Sequence, residues 1–98
     1  MESNNQMMSF VFLKDEKHIQ ALTYLVNSYI LQCTCQQRLL QAAGRSVDRL
    51  VSLLEKHPEY LTEIEYLEAV ILAGRANLER YQRMVDLTLD RLDALKSQ

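Results

Sequence analysis

IQALTYLVNSYILQCTCQQ, residues Ile19 to Gln37, runs between His18 and Arg38 without one Asp, Glu, Lys or Arg. The chain as a whole is 24% charged, so this silence is local. A membrane-spanning helix needs about 20 mostly apolar residues. Here Gln20, Thr23, Asn27, Ser28, Gln32, Thr34, Gln36 and Gln37 interrupt the run. So many side-chain polar groups are costly to place in hydrocarbon, and the stretch is read as lying outside lipid.

Wrapped around a helix, the stretch acquires a pattern. Ile19, Leu22, Val26, Tyr29, Cys33, Gln36 and Leu40 alternate at spacings of three and four, which gathers them into one stripe. Leu25, Ile30 and Leu39 widen the stripe, while Tyr24 and Leu31 lie on the far side. An exposed helix normally turns a charged face to water, and this far face has none. Single apolar residues on a surface are common. The arrangement nevertheless favours burial on both faces, one inside the fold and one against a partner. The expected partner interface is Tyr24, Ser28, Leu31 and Cys35, with Tyr66, Leu72 and Leu87 as secondary apolar contacts.

The stripe continues through Ala43, Val47, Leu50 and Leu54 without losing register across Gly44. A turn at Gly44 would normally reset the phase, so the spacing predicts one helix over residues 15–56, about 63 Å long at 1.5 Å per residue. A break at Gly44 with Ser46 as a new cap is the alternative. Asp15 is the expected N-cap, and residues 1–14 form a short N-terminal segment, frayed over 1–9 and apolar at Phe10, Val11, Phe12 and Leu13. That apolar group is expected to cover the open end of the fold. Lys56 and His57 suit a helix C-terminus, and Pro58 forbids continuation. A second helix is expected over 58–97, starting on either side of Tyr60, with Thr62 and Glu65 at capping-box spacing. Its stripe is Ile64, Leu67, Ile71, Gly74, Leu78, Tyr81, Val85, Thr88, Leu92 and Leu95. Its outer face offers Arg75–Glu79 and Glu79–Arg83 at i, i+4, interrupted by Tyr66, Leu72 and Leu87.

Two matched amphipathic arms joined at His57–Pro58 imply an all-α antiparallel hairpin, a single helical domain over residues 1–98. Folding at that point sets Ala42, Ala43 and Gly44 opposite Ala73, Gly74 and Ala76, small residues that let two helices approach. The apolar flanking residues are too many for a two-stranded seam, whose edges usually carry charge. They suit a four-helix bundle made by two hairpins about a two-fold axis. Homodimer is the leading expectation, and burial against a different protein is its rival.

Other function classes find little support. Net charge is −2, which gives no general attraction to nucleic acid or anionic lipid. The start MESNNQMM lacks the apolar core of a signal peptide, and a reduced cytoplasmic setting is expected for a chain whose two cysteines sit in CTC spacing. Cys33 and Cys35 point roughly 200° apart on a helix, so no metal site is expected from them. His18 and His57 stand at opposite ends of the first helix. The chain has no inward Glu-x-x-His pair, Gly-rich phosphate loop or nucleophile elbow, so neither an enzyme nor a cofactor is expected. Arg38, Arg45 and Arg49 are the candidate nucleic-acid contacts, on an acid-poor part of helix 1 with Asp48 beside them.

The plan resembles several unrelated groups of small bacterial helical hairpins: type III secretion needle co-chaperones, bacteriocin immunity bundles and phage-encoded inhibitors. The shared features are leucine-type stripes, a polar turn before Pro58 and the LEAVIL run from Leu67 to Leu72. These features are generic to the plan, so no residue's role is carried over. The expected activity is protein binding, of adaptor, chaperone or inhibitor type, through the uncharged face of helix 1.

Overall fold

The computed structural model describes the backbone of residues 2–97 and the side chains of residues 16–97. Two helices account for nearly all of it: α1 from Glu2 to Leu53 and α2 from Leu61 to Lys96, joined through a short 3-10 helix at Pro58–Tyr60. They pack antiparallel as a rod of 84 × 15 × 14 Å. Among the described residues there is no strand, and no helix is long and apolar enough to cross a membrane.

α1 is a single helix through Gly44, which settles the continuity that the unbroken stripe implied. It starts at Glu2 rather than at Asp15, so Asp15 is an interior residue and not a cap. No Gly or Pro precedes Gly44, and nothing in the backbone chemistry obliges a break there. The expected covering role of Phe10–Leu13 concerns side chains outside the described residues.

The far end of α1 also differs from expectation. The helix closes at Leu53, three residues before Lys56, and its last turn contains no basic residue. Residues 54–56 tighten into a turn: Leu54 N–H donates to Val51 O at 3.2 Å, and Lys56 and His57 N–H both donate to Leu53 O, at 3.2 and 2.9 Å. These bonds satisfy carbonyls that a helix end leaves orphaned. His57, ahead of the proline, takes φ −134° and ψ 73°, outside the helical region that Pro disfavours for its predecessor. α2 then starts after Tyr60 with no side-chain cap, so Thr62 and Glu65 do not form a capping box.

The stripes read from the sequence are the faces the hairpin buries. Every residue of both stripes is buried or half-buried, from Ile19 through α1 to Leu54 in the turn that follows and from Ile64 to Leu95 on α2. The tightest cluster lies at the end away from the turn, where Leu22, Val26 and Leu92 pack with Ile19 and Leu95. Among the described residues Thr88 is the one buried polar side chain, and its Oγ1 donates to Met84 O at 2.6 Å, which removes the cost of an unpaired hydroxyl. Tyr29 and Tyr81 meet across the seam with ring centroids 6.3 Å apart.

Only one of the two glycines matters to close approach. A Cβ on Gly74 would stand 2.8 Å from Leu40 Cδ2 and 3.6 Å from Gln36 Oε1. Gly44 meets nothing within 4 Å, so it is not part of the small-residue contact expected of it. The contact forms instead between Gly74 and the Leu40–Gln36 turn.

Candidate protein-interaction surfaces

The hairpin buries few large apolar side chains and shows many. Among the described residues Leu22, Val26, Ile64 and Leu92 are the buried apolar set, and no side chain is sealed completely. The exposed set includes every apolar residue of the expected interface: Tyr24 is 81% exposed, Leu31 62%, Tyr66 69% and Leu72 70%, with Leu87 similarly open. Ser28 and Cys35 are exposed as well, and Cys35 is a free thiol.

The structure brings some of these together and separates others. Tyr24, Ser28, Leu31 and Cys35 follow one another at spacings of four, three and four, so they form one continuous strip down α1. Tyr24 and Leu31 are seven apart and point directly away from α2. Ser28 and Cys35 lie on the edge of the strip nearer one flank of the hairpin. Leu87 shares that flank at about the level of Ser28, and Tyr66 lies on the same row further toward the turn. Leu72 belongs to the opposite flank and joins none of the others.

The two flanks are chemically different. On one, a groove of about 260 Å³ is lined by Gln36, Leu39, Leu40, Ala42, Ala43, Ser46, Val70 and Gly74. On the other, a groove of about 490 Å³ is lined by Ile30, Cys33, Thr34, Gln37, Gln82, Val85 and Asp86. The first contains no ionisable group. The second has Asp86 on its wall, and Asp86 is one of a row at seven-residue spacing with Glu65, Glu79 and Asp93. Sequence reading singled out Leu39 as a bundle flank but missed Val70, Leu61 and Leu89, which are also exposed. The signal was available for Val70, since it stands one residue off the α2 stripe on the side of Gly74.

Arg38, Arg45 and Arg49 are all exposed. Arg38 and Arg45 continue the outward row of Tyr24 and Leu31, whereas Arg49 falls beside it. Neither Arg75–Glu79 nor Glu79–Arg83 closes into an ion pair; the pair formed among the described residues is His57 with Glu59 at the turn, Nδ1 to Oε1 3.1 Å. The His57 ring also stacks on Tyr60, centroids 5.0 Å apart. Hydrogen bonds from its own backbone and from His57 hold the Glu59 carboxyl below the usual glutamate range. Among the described residues no three His, Cys, Asp or Glu side chains converge on one point. No family model, curated protein or solved structure matches this chain.

Proposed function

We propose that this chain is a protein-binding helical module, of adaptor, chaperone or inhibitor type, that acts by association and not by catalysis. The observation carrying the proposal is the imbalance between a thin buried stripe and a surface rich in large apolar side chains. Single exposed apolar residues are ordinary, but here Tyr24 and Leu31 share one uncharged strip with Ser28 and Cys35. Tyr24 and Leu31 stand at its centre, within a run of nineteen residues, Ile19 to Gln37, that offers no charge to water. Tyrosine suits a contact residue because its ring is apolar and its hydroxyl remains satisfied at a wet rim.

The test uses the full chain as bait beside a Tyr24→Glu/Leu31→Glu variant, with helicity followed by circular dichroism. A discrete protein retained in stoichiometric amount by the wild type and lost by the equally helical variant supports the module. Identical retention by both overturns the assignment of the strip. The competing reading is a nucleic-acid regulator using Arg38, Arg45 and Arg49. Its mark would be salt-dependent retention on a DNA or RNA matrix, abolished when the three arginines become glutamine.

A further inference from the structure

We infer that a second copy of this chain covers the flank bearing Leu39 and Val70, laying α1 on its counterpart and α2 on its counterpart, antiparallel, about a two-fold axis level with Leu39 and Asn77. The inference rests on the binding-module reading and assigns one surface of it to self-association. The strip of Tyr24 and Leu31 stays free for a different protein.

Two rows at seven-residue spacing border this flank, placed there by the groove that Leu39, Ser46 and Val70 line together. On α1 the row runs Leu25, Gln32, Leu39, Ser46 and Leu53 to the helix end; His18 stands ahead of Leu25 and meets no α1 residue on reversal. On α2 it is Glu63, Val70, Asn77, Met84 and Arg91. An isologous interface sets each row against itself reversed. Reversed, the α1 row opposes Leu25 with Leu53, Gln32 with Ser46, and Leu39 with itself. Reversed, the α2 row opposes Glu63 with Arg91, Val70 with Met84, and Asn77 with itself. Apolar meets apolar, amide meets hydroxyl or amide, and acid meets base. The neighbouring α2 row adds Tyr66 against Leu87 and Ala73 beside Arg80 in the same register.

The two rows also share a centre. Gly74 packs on Leu40, so Asn77, three residues further along α2, is level with residue 37 of α1. Leu39 lies two residues from that level, roughly 3 Å at 1.5 Å per residue. One axis therefore serves both helices, and it passes over the 260 Å³ apolar groove. A surface shaped for an unrelated protein has no reason to read the same in both directions on two helices about one level.

The opposite flank does not support self-pairing. There the α2 row next to the seam is Leu61, Glu68, Arg75, Gln82, Leu89 and Lys96, and reversal sets Leu61 against Lys96 and Glu68 against Leu89. The row outside it, Glu65, Leu72, Glu79, Asp86 and Asp93, sets Glu65 against Asp93 and Glu79 against itself. Like charges directly opposed are destabilising.

The experiment is solution mass by sedimentation equilibrium over a dilution series, on the full chain and on flank variants whose helicity is checked. Wild type is expected as a dimer. Leu39→Glu buries an unpaired charge at the axis and is expected to raise the dimer dissociation constant about a hundredfold or more. Glu63→Arg and Arg91→Glu are each expected to weaken it about tenfold, and the double variant to recover most of that loss. Asn77→Cys in a Cys33→Ser/Cys35→Ser background is expected to oxidise to a covalent dimer. A helical monomer at every concentration overturns the inference, as does a dimer indifferent to Leu39→Glu or a double charge reversal without recovery. A monomer that still retains a protein through Tyr24 and Leu31 would sink the self-association alone. A dimer of the expected register without such a protein would sink the module reading of the strip alone.

Discussion

The two flanks of this hairpin are made from neighbouring rows of the same two helices, yet they differ in almost every property that governs association. One gathers Leu39, Ala42, Ser46, Val70 and Gly74 around an apolar groove. The other sets Thr34, Gln37, Gln82 and Asp86 beside Ile30, Cys33 and Val85 around a wider groove of mixed polarity. Between them runs the buried stripe, common to both. The difference shows that amphipathicity here has two axes. One separates the seam from water, and the other separates a flank with few charges from a flank with acid at regular intervals.

The stripe, and not either flank, is expected to hold the hairpin together, and Leu92→Ala tests that first. Leu92 is buried beside Leu22 and Val26. Truncating a buried leucine costs about 2–4 kcal/mol in transfer and cavity terms. Leu72→Ala, on the acidic flank and 70% exposed, is expected to fall within about 0.5 kcal/mol of wild type. Urea unfolding of both at one protein concentration makes the check. Equal losses would mean that the stripe is not the core.

A second pair of substitutions acts on the flanks directly. Leu39 and Gln37 are two residues apart on α1 and line opposite grooves. If a copy covers the apolar flank, the melting temperature rises with protein concentration, because association stabilises only the folded chain. Leu39→Glu is expected to abolish that dependence and Gln37→Glu to preserve it. A dependence lost in both variants would erase the distinction between the flanks.

Much of this molecule was legible in its residue spacing. Alternation at three and four places side chains on one face whatever surrounds them, so both stripes emerged as the buried faces without a misplaced member. Helix ends were not legible to the residue. Leu53 ends α1 because the next backbone donors turn back to Val51 and Leu53, a closure that no side chain announces. The separation of Leu72 from Tyr66 and Leu87 was legible on the α2 wheel, although grouping the three as one set of contacts passed over it. Leu72 interrupts the charged face of α2 as Tyr66 and Leu87 do, but it follows the stripe residue Ile71 by one where they precede Leu67 and Thr88 by one, and that offset puts it on the other flank. The expected i, i+4 pairs of Arg75, Glu79 and Arg83 failed for a further reason: exposed ion pairs gain little over water, so spacing alone does not close them.

The two glycines divide along the same line, with smaller effects. Gly44 stands on the α1 row that includes Gln37, with open space around it, whereas Gly74 lies in the seam under the apolar groove. Alanine in a helix interior is favoured over glycine by about 1 kcal/mol, so Gly44→Ala is expected to stabilise by close to that amount. At Gly74 the same propensity gain meets Leu40 Cδ2 at 2.8 Å. Moving that methyl costs about 1 kcal/mol or more, which cancels or reverses the gain. Denaturant midpoints rising for Gly44→Ala and not for Gly74→Ala would locate the close approach at Gly74. A rise in both would show that Leu40 yields freely and that the seam is looser there than its geometry implies.

The smallest effect belongs to the turn, which neither flank governs. Glu59 accepts a hydrogen bond from His57 Nδ1, and its carboxyl is held below the usual glutamate range first by its own backbone and then by His57. A depressed carboxyl favours the folded state once the unfolded chain would be ionised. That contribution is therefore present above the ordinary glutamate range and disappears as pH falls through the lowered folded value. Both side chains are open to solvent, so salt screens the pair strongly. Glu59→Gln is expected to lower the urea midpoint slightly at about pH 6 and low salt. In acid below the folded value, wild type and variant should coincide. If the difference persisted there, the glutamate would be acting through turn geometry and not through its charge. The measurement also isolates the link from the flanks, since a loss confined to His57–Tyr60 should leave the concentration dependence of melting unchanged.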